Sequence, residues 1–255
     1  MSFECGATAV LTPSESKRLI AKAVKEMSEV KKALKDGVVI IIGGTTNAFV
    51  AEELTGKECN KFWFASGRIT SGKFGANEPE KRVKPIVIRK GVLTDEHPGE
   101  ALKGFTHDDV YIKGANAVDA YGCAGVLMSS DTGGTIGAAM GILNARGSRL
   151  IVPVGLEKFI SSVVEASRHC GQGRFRYSTG DPVGMMPLVN ARVVTEIDAI
   201  GLIFPDAGLK VTHIAGGGVD GSEGSVALSI EGREEAVEKV FDYILGIKGE
   251  KAVTA

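Results

Sequence analysis

The sequence predicts an α/β protein: a Rossmann-like, mostly parallel sheet with helices on both faces, plus a small C-terminal α+β lobe. Three observations carry this. Residues 38–42, Val-Val-Ile-Ile-Ile, form an unbroken β-branched run, the pattern of a strand covered on both faces. A turn, Gly43-Gly44-Thr45-Thr46-Asn47, leads straight from that run into a helical segment. Further apolar runs then alternate with helical stretches, as βαβ architectures require. The expected division is a ligand-binding domain over 1–190 and the lobe over 191–255.

Thr12-Pro13-Ser14-Glu15 opens the first helix as a T-x-x-E capping box, with Pro at the position where its missing N–H costs nothing. Leu19, Ile20, Ala23, Val24, Met27, Val30 and Leu34 recur at helical spacing, so one amphipathic helix is expected up to the stop at Gly37. After the 38–42 strand, residues 48–54 read as helix. Strands are expected at 62–65, 86–88, 110–112 and 150–154, and helices at 136–146 and 159–169. The Gly- and Pro-rich 171–190 segment reads as a long loop or lid. In the lobe, 195–204 reads as helix, 210–215 and 225–230 as strands joined by a glycine-rich hairpin loop, and 233–247 as an amphipathic helix.

Composition narrows the partners. The 30 basic and 31 acidic residues nearly cancel and no Lys/Arg block stands out, which argues against nucleic acid. The longest purely apolar run, 38–42, falls far short of the roughly 18–20 residues of a membrane span, and the N-terminus lacks a signal-peptide pattern. A membrane partner is therefore not expected, and the location is expected to be cytoplasmic. Cys5, Cys59, Cys123 and Cys170 show no C-x-x-C spacing and read as free thiols of a reducing compartment. His97, His107, His169 and His213 are isolated, so no metal is expected. No cofactor is expected either; the P-loop spacing and its lysine are absent.

Three turns carry the candidate chemistry. At Gly43, Gly44, Thr45, Thr46 and Asn47, free N–H groups at a helix start and the helix dipole suit a phosphate or carboxylate, and the alternative is a plain capped β-to-α connection. The second turn, Ser129-Ser130-Asp131-Thr132-Gly133-Gly134-Thr135, precedes the 136–146 helix and repeats that physics; Asp131 reads as a helix cap or as a base. Between them, the strand at 110–112 delivers Lys113, Gly114, Asn116 and Asp119 into a turn at its carboxyl end, where open α/β sheets bind ligands. A solvated loop is the alternative there. Cys123 reads more simply as a buried thiol than as a nucleophile.

Asp36-Gly37 followed by the β-branched run and Gly43-Gly44-Thr45-Thr46 resembles the opening of ribose-5-phosphate isomerases. Lys113-Gly114-Ala115-Asn116 stands where that family has a D-G-A-D turn, and residues 149–153 are similar to its later strand ending in proline. Gly114-Ala115-Asn116 followed by Thr132-Gly133-Gly134-Thr135 also resembles methylthioribose-1-phosphate isomerase and the related initiation-factor exchange subunits. These resemblances point to the ribose-5-phosphate isomerase, glucosamine-6-phosphate deaminase and CoA transferase-like superfamily. They imply a phosphorylated small molecule bound at the Gly-rich turns, a homo-oligomer, and isomerase-like chemistry on a sugar phosphate. In that chemistry Lys113 and Asn116 would orient or polarise a carbonyl. Both carboxylates of the D-G-A-D turn are replaced here, so Asp119 or Asp131 would have to move protons. The alternatives are a non-catalytic ligand-sensing or assembly subunit, as those lost carboxylates allow, and a CoA-dependent transferase-like protein.

Overall fold

The β-branched run is paired on both of its edges. In the computed structural model, which describes residues 4–255, β1 (Cys5–Leu11), α1 (Pro13–Glu26) and α2 (Ser28–Asp36) lead into β2 (Val38–Ile41) and then α3 (Thr45–Thr55). Next come α4 (Lys61–Phe64), the hairpin of β3 (Gly67–Thr70) and β4 (Lys73–Ala76), the hairpin of β5 (Ile86–Arg89) and β6 (Val92–Thr94), α5 (Pro98–Lys103) and β7 (Val110–Ile112). They are followed by β8 (Ala117–Val118), β9 (Ala124–Met128), α6 (Gly134–Arg146), β10 (Arg149–Pro153), α7 (Val163–Arg168), β11 (Gly184–Leu188) and β12 (Arg192–Val194). The chain then forms α8 (Glu196–Ile203), the hairpin of β13 (Lys210–Gly217) and β14 (Ser225–Gly232), and α9 (Glu234–Leu245).

The main sheet is mixed, in the order β12-β10-β7-β2-β5-β6. β12, β10, β7 and β2 run parallel, while β5 and β6 are antiparallel additions at one side. Successive side chains on a strand face opposite ways, so each strand supplies both cores. Val39, Ile41, Val110, Ile112 and Ile151 pack with α1, α2, α3 and α8 on one face. Val38, Ile40, Tyr111, Leu150 and Val152 pack with α5 and α6 on the other. Helices therefore cover both faces.

The 191–255 segment does not stand apart. β12 belongs to the main sheet, and the β13–β14 hairpin takes β1 as its third strand, with Cys5 opposite Gly232 and Leu11 opposite Val226. Ala9, Leu11, Val226, Leu228 and Ile230 from that small sheet share the α1 and α8 core. A second small antiparallel sheet, β11-β9-β8, lies beside the α6 face.

Four local expectations need correction. Residues 62–64 are helical, in α4, because the Asn60 side chain caps Trp63 N at 3.1 Å, and Ala65 follows as its extended C-cap. The first helix is two, broken at Met27, whose ψ of 131° is extended. The helix expected over 159–169 starts only at Val163, where Ser162 accepts from Glu165 N. The 171–190 loop contains β11, paired along its length with β9.

Register between β2 and β7 is fastened at its entry by the buried Asp109. Its carboxylate accepts from Val38 N at 2.7 Å, Thr106 N at 2.6 Å and Thr106 Oγ1 at 2.9 Å. Asp109→Ala leaves two backbone N–H groups without an acceptor in the interior and is expected to destabilise by about 2–4 kcal/mol. Asp109→Asn offers a donor where a second acceptor is needed and is expected to rescue little. Denaturant unfolding of both variants checks this; midpoints within experimental error of the parent would contradict it.

Candidate functional site

All four parallel strands end at the same edge of the main sheet, and a cleft of about 1120 Å³ lies along that edge. Ligands in open α/β sheets bind in this position because the loops that follow the strands converge there. Gly43, Gly44, Thr45 and Thr46 line the cleft after β2, Lys113, Gly114 and Asn116 after β7, and Gly134 and Thr135 at the start of α6. The two Gly-rich turns thus meet in one cleft.

α3 begins at Gly44, which has no side-chain cap, and its first backbone bond is Ala48 N to Gly44 O at 2.9 Å. The N–H groups of Thr45, Thr46 and Asn47 have no protein acceptor among the described residues. Unpaired amides at the positive end of a helix dipole favour an anion. Gly43 owes its identity to protein packing: a Cβ there would lie 2.4 Å from the Phe64 carbonyl oxygen. Asn47 lies behind the turn, fully buried, with Nδ2 donating to Ile42 O at 2.6 Å and Ile112 O at 3.2 Å. Since both contacts are carbonyls, the amide orientation is fixed by chemistry, and Oδ1 is left buried without a partner.

The other helix start is built by a left-handed glycine. Gly133 has φ 78° at the N-cap of α6, and a bond from Tyr111 Oη to Thr135 O, 3.0 Å, ties that helix to β7. Thr132 and Asp131 are exposed, and neither they nor Gly133 line the cleft. Asn116 is at the cleft, with Oδ1 accepting from Leu127 N at 3.0 Å. Asp119 is elsewhere. Its buried carboxylate accepts from Tyr121 N, Cys123 N and Val163 N, so it holds a loop and is not aimed at a ligand. The proton-moving role expected for Asp119 or Asp131 is accordingly withdrawn. Cys123 is likewise outside the cleft, and burial next to Asp119 pushes its thiol pKa up.

Several cleft residues carry no motif. Lys17, on α1, donates to Glu157 Oε1 at 2.7 Å and Pro13 O at 3.0 Å, and Lys158 reaches the same Glu157 oxygen at 2.8 Å. Burial, reinforced by Lys158, pulls Lys17 down to about 8; the two lysines outweigh burial at Glu157 and lower its pKa. Behind them Glu196 is fully buried, and desolvation raises its pKa. Lys17 heads the stripe of Ile20, Val24 and Met27, a placement legible in the sequence as a lysine on the buried side of the helix. Arg68 and Arg82 reach the cleft from the β3–β4 side, both anchored on Asn77. The outer wall is that hairpin joined to the 179–181 segment, with Phe74 N bonding Thr179 O and Asp181 N bonding Phe74 O, each at 3.0 Å. Asp181 is exposed on this wall and lines the cleft. The C-terminal residues close the cleft from the α1 side, where Glu15 accepts from Gly249 N and Lys248 Nζ.

Lys113 differs from every other cleft lysine. Its Nζ has one weak contact, Gly114 O at 3.4 Å, and no carboxylate within ion-pair distance among the described residues. The residue opens onto the cleft, yet its ammonium lies deep in protein, and desolvation alone pulls its pKa from 10.5 down to about 8. A partly desolvated lysine without an ion-pair partner and a helix start with vacant N–H groups thus border the same cleft. Among the described residues no group of three or more His, Cys, Asp or Glu side chains is gathered as a metal site. Comparisons with protein-family models, curated proteins and solved structures give no match.

The depressed Lys113 pKa has a consequence for stability. Below pH 8 folding buries a charge that water would solvate; between pH 8 and 10.5 the folded protein has released that proton while the unfolded chain still holds it, so the penalty fades as pH rises. Lys113→Met is therefore expected to be more stable than the parent at pH 7, by at most about 3 kcal/mol, with the gap closing towards pH 10.5. Lys17 titrates in both proteins and cancels. Thermal melts across pH 6–10.5 check the sign; a variant less stable at pH 7 would contradict it.

Proposed function

We propose that this protein binds a phosphorylated small metabolite, with the phosphate on the N-terminus of α3 and Lys113 as its counter-charge. The observation that carries it is the conjunction of three vacant N–H groups, at Thr45, Thr46 and Asn47, with an unpaired lysine after the adjacent parallel strand. Neither feature is stabilising alone: the helix end lacks acceptors, and the lysine is desolvated without a partner. A bound dianion satisfies both. The four parallel strands would then serve as a Rossmann-like ligand platform, as the resemblance to the phosphosugar isomerase and CoA transferase-like superfamily implies. Four unpaired cysteines support a cytoplasmic setting.

Isomerisation of the ligand would need a base, and most cleft carboxylates are engaged. Glu15 bonds Lys248, Glu157 bonds two lysines, and Glu250 bonds Arg18. Asp181, on the outer wall, is the cleft carboxylate with no side-chain bond or ion pair among the described residues, so proton transfer in a sugar-phosphate isomerase would fall to it. Binding without turnover fits the remaining arrangement equally.

Glycerol 3-phosphate is expected to raise the melting temperature with the logarithm of its concentration above Kd, with about 2.7 kcal/mol of stabilisation at a hundred times Kd, and glycerol is not. Thr45→Pro removes one N–H at the first helical position, where proline is tolerated, and should weaken phosphate binding about tenfold or more, while Thr45→Ala, which keeps the N–H, should bind more tightly than Thr45→Pro. Equal responses to glycerol and its phosphate would overturn phosphate recognition. Equal affinities of the two Thr45 variants would overturn the helix-end placement.

A further inference from the structure

Three lysines line the cleft: Lys17, Lys113 and Lys158. Lys17 and Lys158 are held on Glu157 at 2.7 and 2.8 Å, so each already has a carboxylate partner. Lys113 is not, and nothing among the described residues stabilises its charge except a marginal contact to a backbone carbonyl. A lysine left this way releases its proton more readily than an exposed one, and a neutral amine is a nucleophile towards carbonyl carbon. Its pKa of about 8 agrees with that use.

The sheet also fixes where a carbonyl would have to be. Lys113 follows β7, and the turn that opens α3 follows β2; these strands are paired directly, with Ile41 opposite Ile112. Adjacent strands lie about 4.8 Å apart, so the α3 amides and the backbone of Lys113 start from neighbouring strand ends, within the span of a short phosphorylated carbonyl compound. Ile42, Val126, Met128 and Ile136 supply apolar wall to the same cleft, which keeps the amine desolvated.

We propose that Lys113 forms an imine with the carbonyl carbon of a short phosphorylated aldehyde or ketone held on the α3 N-terminus. The inference rests on the phosphate-binding reading above and extends it to a substrate class and a covalent step; the protonated imine keeps the positive charge, so Lys113 still serves as the phosphate's counter-charge once the bond has formed. The ammonium first gives up a proton, and the amine lone pair then forms the C–N bond while the carbonyl π electrons move to oxygen. The carbinolamine oxygen takes up protons and leaves as water. The net change is one ammonium and one carbonyl converted to one protonated imine and one water, with no oxidant or reductant consumed.

Reductive trapping tests this. The protein is incubated with glycolaldehyde phosphate and cyanoborohydride, digested, and the adduct mapped by mass spectrometry. The expected result is adduct on Lys113 at least tenfold above that on solvent lysines such as Lys57 and Lys73, suppressed by excess inorganic phosphate and lost in Lys113→Arg. Adduct spread evenly over surface lysines, or labelling of Lys113 no faster than theirs, would overturn the imine. Calorimetric titration with glycerol 3-phosphate, which has no carbonyl, scores the underlying reading separately: binding without selective trapping sinks the imine alone, and absence of binding sinks phosphate recognition. If Lys113 is still trapped selectively when glycerol 3-phosphate does not bind, the lysine chemistry stands without the phosphate anchor.

Discussion

Asn47 Nδ2 donates to the carbonyls of Ile42 and Ile112, and the geometry of the cleft depends on that pair of bonds. The two residues lie at the carboxyl ends of adjacent parallel strands, where Ile112 O already accepts from Ile42 N at 3.0 Å and takes Asn47 as a second donor, while Ile42 O lies one residue past the end of β2. One side-chain amide on the first turn of α3 thus bonds both strand ends. The helix start is thereby locked against β2 and β7 together, and the N–H groups of Thr45 and Thr46 are held at the cleft wall. Asp109 performs the matching task at the other end, where it bonds the first N–H of β2. The strand pair is clamped at both ends by single buried side chains.

The charges around this frame sort into two kinds. Arg18 is surrounded by Glu52, Glu53 and Glu250 at 2.6–2.9 Å, and Glu15 is held by Lys248; these bonds fasten α1, α3 and the C-terminal residues together. Lys17, Glu157 and Lys158 form a second closed set. Their geometry is complete within the chain. Lys113 and the α3 amides have no such completion and border the cleft, whereas the fully buried Glu196, which also lacks an ion-pair partner among the described residues, lies behind it. Strain of this sort, charge desolvated without a partner, is the usual mark of a ligand site.

What the sequence made legible follows from where each signal is local. The turn at 43–47 was readable because strand, glycines and helix are contiguous, and the capping box at Thr12 because its two partners are three residues apart. The helix of α4 was not, since Phe-Trp-Phe carries no periodicity and only the Asn60 cap decides it. β1 escaped because its partner is β14, more than two hundred residues away, and its own short segment shows no clean alternation. Asp119 looked like chemistry by its position after β7, yet the loop turns away from the cleft and uses the carboxylate for three backbone N–H groups. Glu157, Lys158 and Asp181 enter the cleft only through tertiary packing, for which no spacing exists to read.

The central claim is that the open amides of α3 and Lys113 form one anion site. An amide-resolved proton–nitrogen NMR titration with inorganic phosphate tests it most directly. The account predicts saturable shifts concentrated on Thr45, Thr46 and Asn47, strongly reduced in Lys113→Met. Shifts that leave these three amides unmoved, or that persist unchanged without Lys113, would contradict it.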